Sequence, residues 1–348
     1  MAGGSGPEEA FAREQLQEFH RLHPNIRVAY QATPSSANDR HTLYVTWLSS
    51  HSADIDVLNL DVIWVPEFAA AGWLLPLDAP TAAAGLCLDD FLPAGLACSR
   101  YQGKLFALPW FVDAGLLYYR KDLYAAAGVA PPETFADLLQ VGGLKKQFGL
   151  PYGFLFQGQT YEGLVCVVLE FMWSNGGGIF DEAGRLTLDQ PRNREALKTL
   201  VNLIYRDEVS PLAVATFQEE DCRHAFEQGY AVLMRNWPYA YPLLNQADSR
   251  VQGKIGVWSL VHGPDGKPTS CFGGGCLGIN AFSRHHDAAW KLVQFLLTRK
   301  NLKQRAQVLG MLPPISSLYN DPDLEAQFPY LKRLKEVFIH ARPRPITP

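Results

Sequence analysis

Stretches in which apolar residues recur every three or four positions alternate with short, mostly apolar runs along the chain. The first spacing is typical of amphipathic helices and the second of strands. The first helix is predicted at 8–22, because Pro7 precedes it and acidic residues fill its first turn. Its apolar face is formed by Phe11, Leu16, Phe19 and Leu22.

The same patterns predict the remaining elements. Helices are predicted at 39–48, 65–71, 121–127, 134–148, 160–173, 193–205, 219–228 and 286–297. Strands are predicted at 26–30, 56–60, 104–109, 114–119, 231–234 and 254–260, and loops at the glycine runs 176–178 and 273–275. Residues predicted to face inward are Leu197, Leu200, Val201 and Ile204 in one helix and Trp290, Val293 and Leu297 in another. Helices and strands alternate along the chain, which predicts an α/β fold. No linker separates two halves of the sequence, so the chain is expected to cross between two lobes more than once.

The composition narrows the choice of function. A chain of 348 residues suits two domains, and 47% hydrophobic with 19% charged residues is ordinary for a folded protein. The formal net charge is −4 and no region is dense in lysine or arginine, so we expect no nucleic-acid partner. No apolar run reaches the roughly 20 residues that span a bilayer. The chain opens Met1-Ala2-Gly3 without a signal peptide, as we expect of a sequence trimmed at its start.

The cysteines give no sign of a metal. The chain has no Cys-x-x-Cys pair and no histidine pair at zinc spacing, so we expect neither a structural metal nor a cofactor. The six cysteines are Cys87, Cys98, Cys166, Cys222, Cys271 and Cys276. Two interpretations stay open: Cys271 bridges to Cys276 and Cys87 to Cys98, or all six are free buried thiols.

The segment 235–241 (RNWPYAY) concentrates three aromatic residues and one arginine. Pro238 prevents a helix or a central strand from continuing through it. A tryptophan held on such a segment presents a flat apolar face with a polar edge, which suits the C–H side of a sugar ring. The alternative is that Trp237 and Tyr239 only fill space in a core.

Seven segments spread over the chain match one known family. They are 58–64 (LNLDVIW), 71–74 (AGWL), 108–123 (LPWFVDAGLLYYRKDL), 161–166 (YEGLVC), 174–177 (SNGG), 235–240 (RNWPYA) and 342–348 (RPRPITP). On these segments the chain resembles the extracellular sugar-binding proteins of ATP-driven (ABC) importers, in the trehalose/maltose-binding group. The match follows the family's order over essentially the whole chain.

The resemblance implies an α/β, two-lobed periplasmic-binding-protein fold (type II), whose lobes are joined by hinge crossovers with the ligand cleft between them. Lobe I is expected at 1–111 and 262–310 and lobe II at 115–258 and 315–348, with hinges near 111–115, 258–275 and 310–315. Family members begin with an export signal, one more strand would precede Gly3-Gly4, and C-terminal helices would follow Thr347-Pro348.

The resemblance also implies partners and a location. The partners expected are a small-molecule sugar and the permease subunits of an ABC transporter, and the binding protein is expected to be a monomer that closes around its ligand by a hinge motion. Its expected location is periplasmic or extracellular, either free or anchored through a lipoprotein N-terminus.

By the same resemblance, five side chains are expected to contact the sugar: Glu8, Arg40, Asp61, Asp113 and Trp237. Carboxylates accept hydrogen bonds from sugar hydroxyls, arginine donates to them, and the indole covers the apolar face. Glu8 and Arg40 also have ordinary explanations, as a first-turn acid and a solvated surface side chain. Asp61 ends a buried strand, and Asp113 is expected between two strands at the first hinge. The expected ligand-binding set is completed by Phe111, Tyr239, Gly274 and Gly275.

Two positions depart from the family's trehalose binders. Gly275 stands where a stacking tryptophan is expected, and Ile315 stands where an arginine is expected in the last crossover. Loss of a ring and of a bidentate donor weakens one sugar subsite, so we expect a single firmly held glucose. Trehalose is therefore not the ligand we favour, and maltose, sucrose and a glucosylated polyol such as glucosylglycerol stay open.

Two other classes of function compete with sugar binding. Asp61, Asp113 and Glu8 include the two carboxylates that a glycosidase needs, although carboxylates serve binding equally well. The ligand could instead be another solute, such as a phosphoglycerol, an oligopeptide or iron. No G-x-S-x-G motif and no phosphate loop with its lysine is present. We therefore expect a binding protein and no enzyme.

Overall fold

The structure, a computed structural model, describes residues 1–181 and 183–345, with only the backbone of Arg333. Ile346, Thr347 and Pro348, the end of the family-like C-terminal segment, lie outside it. Its strands are β1 (Ala2–Gly3), β2 (Gln31–Ala32), β3 (Val57–Asp61), β4 (Arg100–Tyr101), β5 (Lys104–Leu105), β6 (Ala107–Ala114), β7 (Leu116–Arg120), β8 (Tyr152–Leu155), β9 (Ala231–Asn236), β10 (Ile255–Trp258), β11 (Cys271–Ile279) and β12 (Arg342–Pro343).

Helices occupy most of the remaining chain. The α-helices are α1 (Pro7–Leu22), α2 (Ala37–Ser49), α3 (Trp64–Ala70), α4 (Asp78–Ala83), α5 (Pro93–Cys98), α6 (Lys121–Ala127), α7 (Phe135–Gln147), α8 (Glu162–Ser174), α9 (Pro191–Tyr205), α10 (Glu219–Glu227), α11 (Ala240–Leu244), α12 (His286–Leu296), α13 (Arg299–Leu309), α14 (Pro322–Gln327) and α15 (Leu331–His340). Short 3-10 helices lie at Leu212–Thr216 and Ser316–Asn320. Within the described residues, no helix has both the length and the apolar character needed to cross a membrane.

The described chain forms two compact units, and each is discontinuous in sequence. Unit 1 consists of Met1–Asp113 and Gly273–Ile339, and unit 2 consists of Ala114–Phe272 and His340–Pro345. The crossings after Asp113 and after Phe272 fall within the ranges 111–115 and 258–275 that the sequence predicts for hinges.

The later part of the chain is divided differently from the prediction. Residues 315–339 lie in unit 1, where the sequence predicts lobe II, and 262–272 lie in unit 2, where it predicts lobe I. Backbone contacts hold the former segment in unit 1: the Leu92 amide donates to the Pro314 carbonyl at 2.8 Å, and Phe91 forms a β-bridge with Ile315. The chain therefore leaves unit 1 near His340 rather than at 310–315.

A sheet in the order β11-β3-β1-β2 forms the centre of unit 1, and β6 pairs with β11. β1 runs parallel to β2 and β3, whereas β11 runs antiparallel to β3 with Gly275 opposite Asp61. The first four residues of β3 are buried, as expected for a central strand whose two faces are both covered. Only Asp61, its last residue, reaches the edge of this core.

Three predictions for strands in unit 1 are wrong. The strand predicted at 26–30 is β2, which lies at Gln31–Ala32 because it takes its register from β1. The predicted break at 110–113 is absent, since β6 runs continuously from Ala107 to Ala114. The predicted loop 273–275 lies inside β11, where Gly274 has a φ of 129° and a Cβ would overlap the Phe111 carbonyl oxygen.

Unit 2 contains a sheet in the order β10-β7-β9-β8, in which β7 runs antiparallel to both neighbours and β8 runs parallel to β9. α7, α8 and α9 contribute to its core with Leu138, Val167 and Leu200. Leu197 and Val201 of α9 are exposed rather than inward, because the buried stripe runs through Asn193, Ala196, Leu200 and Leu203. In unit 1, Leu22 at the end of α1 is exposed and Trp290 of α12 is half-buried, so neither lies in the core as predicted.

Candidate functional site

The carboxylate of Glu8 lies in the interior of unit 1, at the first turn of α1. Its Oε1 accepts a hydrogen bond from Arg305 Nη2 at 2.6 Å and from Asn59 Nδ2 at 3.3 Å. Its side chain is 12% exposed, and that of Arg305 is 1% exposed. Because the arginine charge is balanced here, removal of Glu8 leaves a buried cation without its partner.

Arg305 also joins Glu8 to two aromatic rings of β6. Its guanidinium carbon lies 3.5 Å from the ring centroid of Trp110 and 5.2 Å from that of Phe111. Stacking of this kind suits the planar guanidinium better than it suits a lysine ammonium. Arg305 thus fixes Glu8 and Phe111 in one cluster. Sequence reasoning missed it, because Arg305 lies 297 residues beyond Glu8 in an otherwise polar helix.

Asp61, Gly275 and Phe111 meet at one end of the unit 1 sheet. Asp61 ends β3, faces Gly275 of β11, and accepts a hydrogen bond from the Ile63 amide at 3.2 Å. A Cβ at Gly275 would overlap the Phe111 ring and lie 2.6 Å from Asn59 Oδ1. The Phe111 ring, supplied from a neighbouring strand, therefore occupies the space beside Gly275, the position at which a tryptophan is expected in trehalose binders.

Arg40, another candidate of unit 1, lies in the first turn of α2. Its guanidinium carbon is 5.3 Å from the ring centroid of Trp64, and its buried Nε has no hydrogen-bond acceptor within the described residues. Burial raises the pKa of the neighbouring Tyr44 hydroxyl, an effect that the Arg40 charge opposes. Arg40 is thus held against an aromatic surface, half-buried, and is not a freely solvated side chain.

Asp113 and Ile315 do not occupy the places that the sequence predicts. Asp113 lies within β6, next to its last residue, rather than between two strands. Burial raises the pKa of Tyr319, and the Asp113 charge adds to the effect. Ile315 lies in the interior of unit 1, paired with Phe91, and not in a crossover. It is 8% exposed and so belongs to the core of this unit.

Trp237 follows β9 in unit 2 and is held on three sides. Its Nε1 donates to Glu219 Oε1 at 3.2 Å, and its carbonyl accepts from the Tyr118 hydroxyl at 2.7 Å. The guanidinium carbon of Arg235 lies 3.9 Å from its ring centroid. The ring is nevertheless only partly buried, so a fixed aromatic surface stays available.

Arg235 is fixed in turn by a buried ion pair with Glu170 of α8. Arg235 Nε and Nη2 donate to the two Glu170 oxygens at 2.9 and 2.7 Å, and Nη1 donates to Gln157 Oε1 at 3.1 Å. Glu170 Oε1 also accepts from the Cys271 amide at 3.1 Å. Although burial opposes a charge, the Glu170 carboxylate holds the pKa of Arg235 above its ordinary value.

Tyr239 lies beside Trp237, with its hydroxyl donating to Glu220 Oε1 at 2.7 Å. Burial raises the pKa of Tyr239, and the carboxylates of Glu220 and Glu219 add to this. The second oxygen of Glu219 accepts from the Tyr161 hydroxyl at 2.7 Å. Glu219 and Glu220 open α10, where the helix dipole favours acidic residues. Their acidic first turn is the signal from which sequence reasoning should have found them.

Within each unit, most of the candidate residues lie together. None of the six cysteines forms a disulfide bond in this structure. Cys271 and Cys276 lie five residues apart on one strand and cannot reach each other. Among the described residues, no three side chains of His, Cys, Asp or Glu come together as a metal site would require. A surface cavity of about 360 Å³ in unit 2 is lined by Tyr124, Pro131 and Asp137 among others, and its lining includes none of the candidate residues.

Comparison with known proteins identifies the family. The family model described as "Bacterial extracellular solute-binding protein" matches residues 3–303. A "Probable ABC transporter-binding protein" of Deinococcus radiodurans is 37% identical over 321 residues, which cover 90% of this chain and 75% of the relative. A "Maltotriose-binding protein" of Pyrococcus abyssi is 24% identical and covers 95% of this chain and 69% of the relative.

Two solved structures are also similar to this chain. Maltose-bound MalE3 of T. maritima matches with a TM-score of 0.95 and 41% identity, covering 100% of this chain and 89% of that one. The GacH receptor of Streptomyces glaucescens, solved unliganded and with acarbose, matches with a TM-score of 0.88 and 26% identity over 99% of this chain and 86% of that one. The predicted α/β, two-lobed periplasmic-binding-protein fold is thereby confirmed. The chain belongs to the bacterial extracellular solute-binding protein family.

Proposed function

We propose that this protein is the substrate-binding component of an ABC sugar importer and that it binds an α-glucoside of about disaccharide size. The observation that carries the proposal is its likeness, over the whole chain, to a protein solved with maltose bound. A maltotriose-binding relative and a structure with acarbose, both less similar, support the same class of ligand.

The geometry at Trp237 is consistent with this class of ligand. Arg235 packs on one face of the indole and Glu219 holds its edge, so that the ring is rigid before a ligand arrives. A rigid aromatic surface loses little conformational entropy on binding and matches the apolar face of a glucose ring. We propose Trp237 as the main sugar platform and Tyr239, whose hydroxyl is fixed by Glu220, as its neighbour.

The candidates of unit 1 would supply polar contacts. We propose that Arg40 and Asp61 hydrogen-bond sugar hydroxyls, because charged partners form the stronger hydrogen bonds. Glu8 and Asp113 are proposed as further carboxylate contacts, with Glu8 held in place by Arg305. Phe111, whose ring occupies the space beside Gly275, is proposed as the apolar contact of this unit, next to the backbone of Gly274 and Gly275.

The second half of the ligand decides which sugar is bound. Gly275 carries no ring and Ile315 is a core residue, so a stacking platform and an arginine clamp are missing at these positions. We propose that one glucose ring is bound tightly and that the second part of the ligand is held more weakly than in trehalose binders, which disfavours trehalose. Maltose, sucrose and glucosylglycerol stay candidates.

A thermal-shift titration tests both the class and the order of ligands. Maltose, sucrose, glucosylglycerol and trehalose are compared at equal concentrations, with glycerophosphocholine and a tripeptide as unrelated solutes. A ligand present at 100 times its Kd stabilises the native state by about 2.7 kcal/mol, which raises Tm. The proposal predicts shifts with α-glucosides and a smaller shift with trehalose. Shifts confined to the unrelated solutes would overturn it.

The proposed function also includes the protein's activity, oligomeric state and location. We propose that the protein does not cleave its ligand, works as a monomer outside the cytoplasm, and delivers the sugar to a membrane permease. Its relatives are solute-binding proteins, and its family is extracellular by description. Release of glucose from the bound α-glucoside during prolonged incubation would show instead that the carboxylates are catalytic.

A further inference from the structure

Cys166 and Cys271 lie together in the interior of unit 2. Cys166 belongs to α8, and Cys271 begins β11. Both are completely buried, in a small cluster that also contains Leu169 and Trp173 and against which Trp237 packs. Buried cysteines usually act as small apolar residues, but here two of them share one cluster.

A hydrogen bond that involves neither sulfur also places Cys271 beside α8. Glu170 lies one helical turn after Cys166, so that the two side chains occupy the same face of α8. Glu170 Oε1 accepts a hydrogen bond from the Cys271 amide at 3.1 Å. The first residue of β11 is therefore packed against the face of α8 that carries Cys166, and both thiols belong to one buried cluster.

We propose that Cys166 and Cys271 form a disulfide bond when the protein folds in an oxidising medium. Proteins of an extracellular family fold and act where disulfides persist. This inference is independent of the proposed sugar ligand. Cys222, which is also buried but does not belong to this cluster, serves as the internal control.

The chemistry requires only a disulfide oxidant, such as oxidised glutathione. The Cys166 thiolate attacks one sulfur of the oxidant and releases one glutathione thiolate, which accepts the proton that Cys166 has lost. The Cys271 thiolate then attacks the mixed disulfide and releases the second glutathione. Two protein thiols are oxidised and one glutathione disulfide is reduced to two thiols.

The disulfide bond has to form before unit 2 has folded. Burial raises the pKa of Cys166 well above its ordinary value, and contact with Cys271 adds to the effect, so the folded protein holds Cys166 as an unreactive thiol. Once formed, the bond would link α8 to the point where the chain leaves unit 2, across a loop of roughly a hundred residues.

The test is refolding from denaturant in a mixture of oxidised and reduced glutathione. Thiols are then blocked with N-ethylmaleimide in denaturant, and peptides are analysed by mass spectrometry without reduction. We expect a peptide pair linked through Cys166 and Cys271, with Cys222 fully alkylated. Because this measurement uses the wild-type chain, its result does not depend on whether a variant folds.

Two further results show whether Cys166 and Cys271 are the paired cysteines. The Cys166→Ala variant should leave Cys271 alkylated or as a glutathione adduct, with no linked peptide in its place. Wild-type protein in which Cys166 and Cys271 are alkylated as completely as Cys222 would overturn the proposal, as would a linkage of either residue to another cysteine. Sugar titrations of the same samples test the proposed function separately.

Discussion

At the scale of the single residue, the orientation of the Trp237 ring depends on charged side chains that surround it or support its neighbours. Arg235 supports one face of the ring, Glu170 supports Arg235, and Glu219 holds the indole N–H. If Trp237 binds the sugar as proposed, its contribution to the affinity would include the order imposed by these three charged side chains. A free tryptophan of equal area would lose more entropy on binding.

Replacing Trp237 by alanine should weaken binding of the best α-glucoside by about tenfold or more, since a stacked ring contributes on the order of 1.5–3 kcal/mol. Isothermal titration calorimetry measures the change. Trp237→Phe should keep part of the affinity because it keeps a ring. The control is Trp290→Ala, in α12 of unit 1, which should bind as the wild type does. Equal losses in the two alanine variants would contradict the role assigned to Trp237.

Gly115 has a structural role that its size alone explains. A Cβ at this position would overlap Glu170 Oε1 and lie 2.6 Å from Arg235 Nη2. Gly115→Ala should therefore destabilise the protein by about 3 kcal/mol or more, because a buried ion pair loses its geometry. Thermal unfolding followed by circular dichroism measures the loss.

The matched control for Gly115 lies in α7. Gly143 is helical and a Cβ there would meet nothing within 4 Å. Gly143→Ala should stabilise the protein by roughly 0.5–1 kcal/mol, since alanine is the better helix former. If both substitutions changed Tm in the same direction, the close packing around Gly115 would not be the cause.

At the scale of the element, α7 begins with a complete capping box. Asp137 accepts hydrogen bonds from the amides of Glu133 and Thr134, and the Thr134 hydroxyl accepts one from the Asp137 amide. Burial acts to raise the pKa of Asp137, but the hydrogen bonds from Thr134 and Glu133 and the charge of His262 bring it below its ordinary value.

This lowered pKa predicts how stability depends on pH. A carboxyl whose folded-state pKa is depressed stabilises the fold fully above its unfolded-state pKa and loses this contribution as the pH falls through the folded value. Asp137→Asn should cost roughly 1 kcal/mol at neutral pH, and the difference from wild type should shrink as the pH falls below the ordinary carboxyl pKa of 3.8. Urea unfolding at several pH values measures it. A difference that did not change with pH would rule out the charge as its source.

The helices predicted from the sequence match the structure more closely than the predicted strands do, although α13 and α15 are not predicted, and the reason is physical. The helices have local signals, such as Pro7 before α1 and the Thr134 cap before α7, and these fall within about two residues of their predicted positions. β2 and β11 have no such signal, because β2 takes its register from β1 and the glycines of β11 reflect the nearby Phe111. Strand pairing depends on partners that lie far away in sequence.

The same distinction applies to the candidate site. Trp237 and Asp61 can be proposed from the sequence, because a proline marks the end of one element and an acid ends a buried run. Arg305, Asn59 and Glu170 cannot, since each is identified only by a partner more than 50 residues away. Long-range side-chain contacts of this kind leave no periodic pattern in the sequence.

At the scale of the whole molecule, unit 1 is built from two distant parts of the chain. β3 lies between β1 and β11, and the part of β11 that pairs with β3 begins only at Gly275. A fragment of residues 1–113 should therefore show no cooperative thermal transition, because one edge of its central strand lacks a partner. Calorimetry under conditions in which the full chain unfolds cooperatively measures this. A sharp transition in the fragment would show that β11 is dispensable.

The interleaving of the two units fixes an order of events during synthesis. When the ribosome has finished β3, roughly 200 further residues must be added before the pairing segment of β11 exists, which takes on the order of ten to forty seconds. Most of unit 2 is complete by then, since it is one segment from Ala114 to Phe272 with only a short later addition. The second unit in the sequence is thus the first able to fold. The apolar β3 must be kept from aggregation until its last partner has been made.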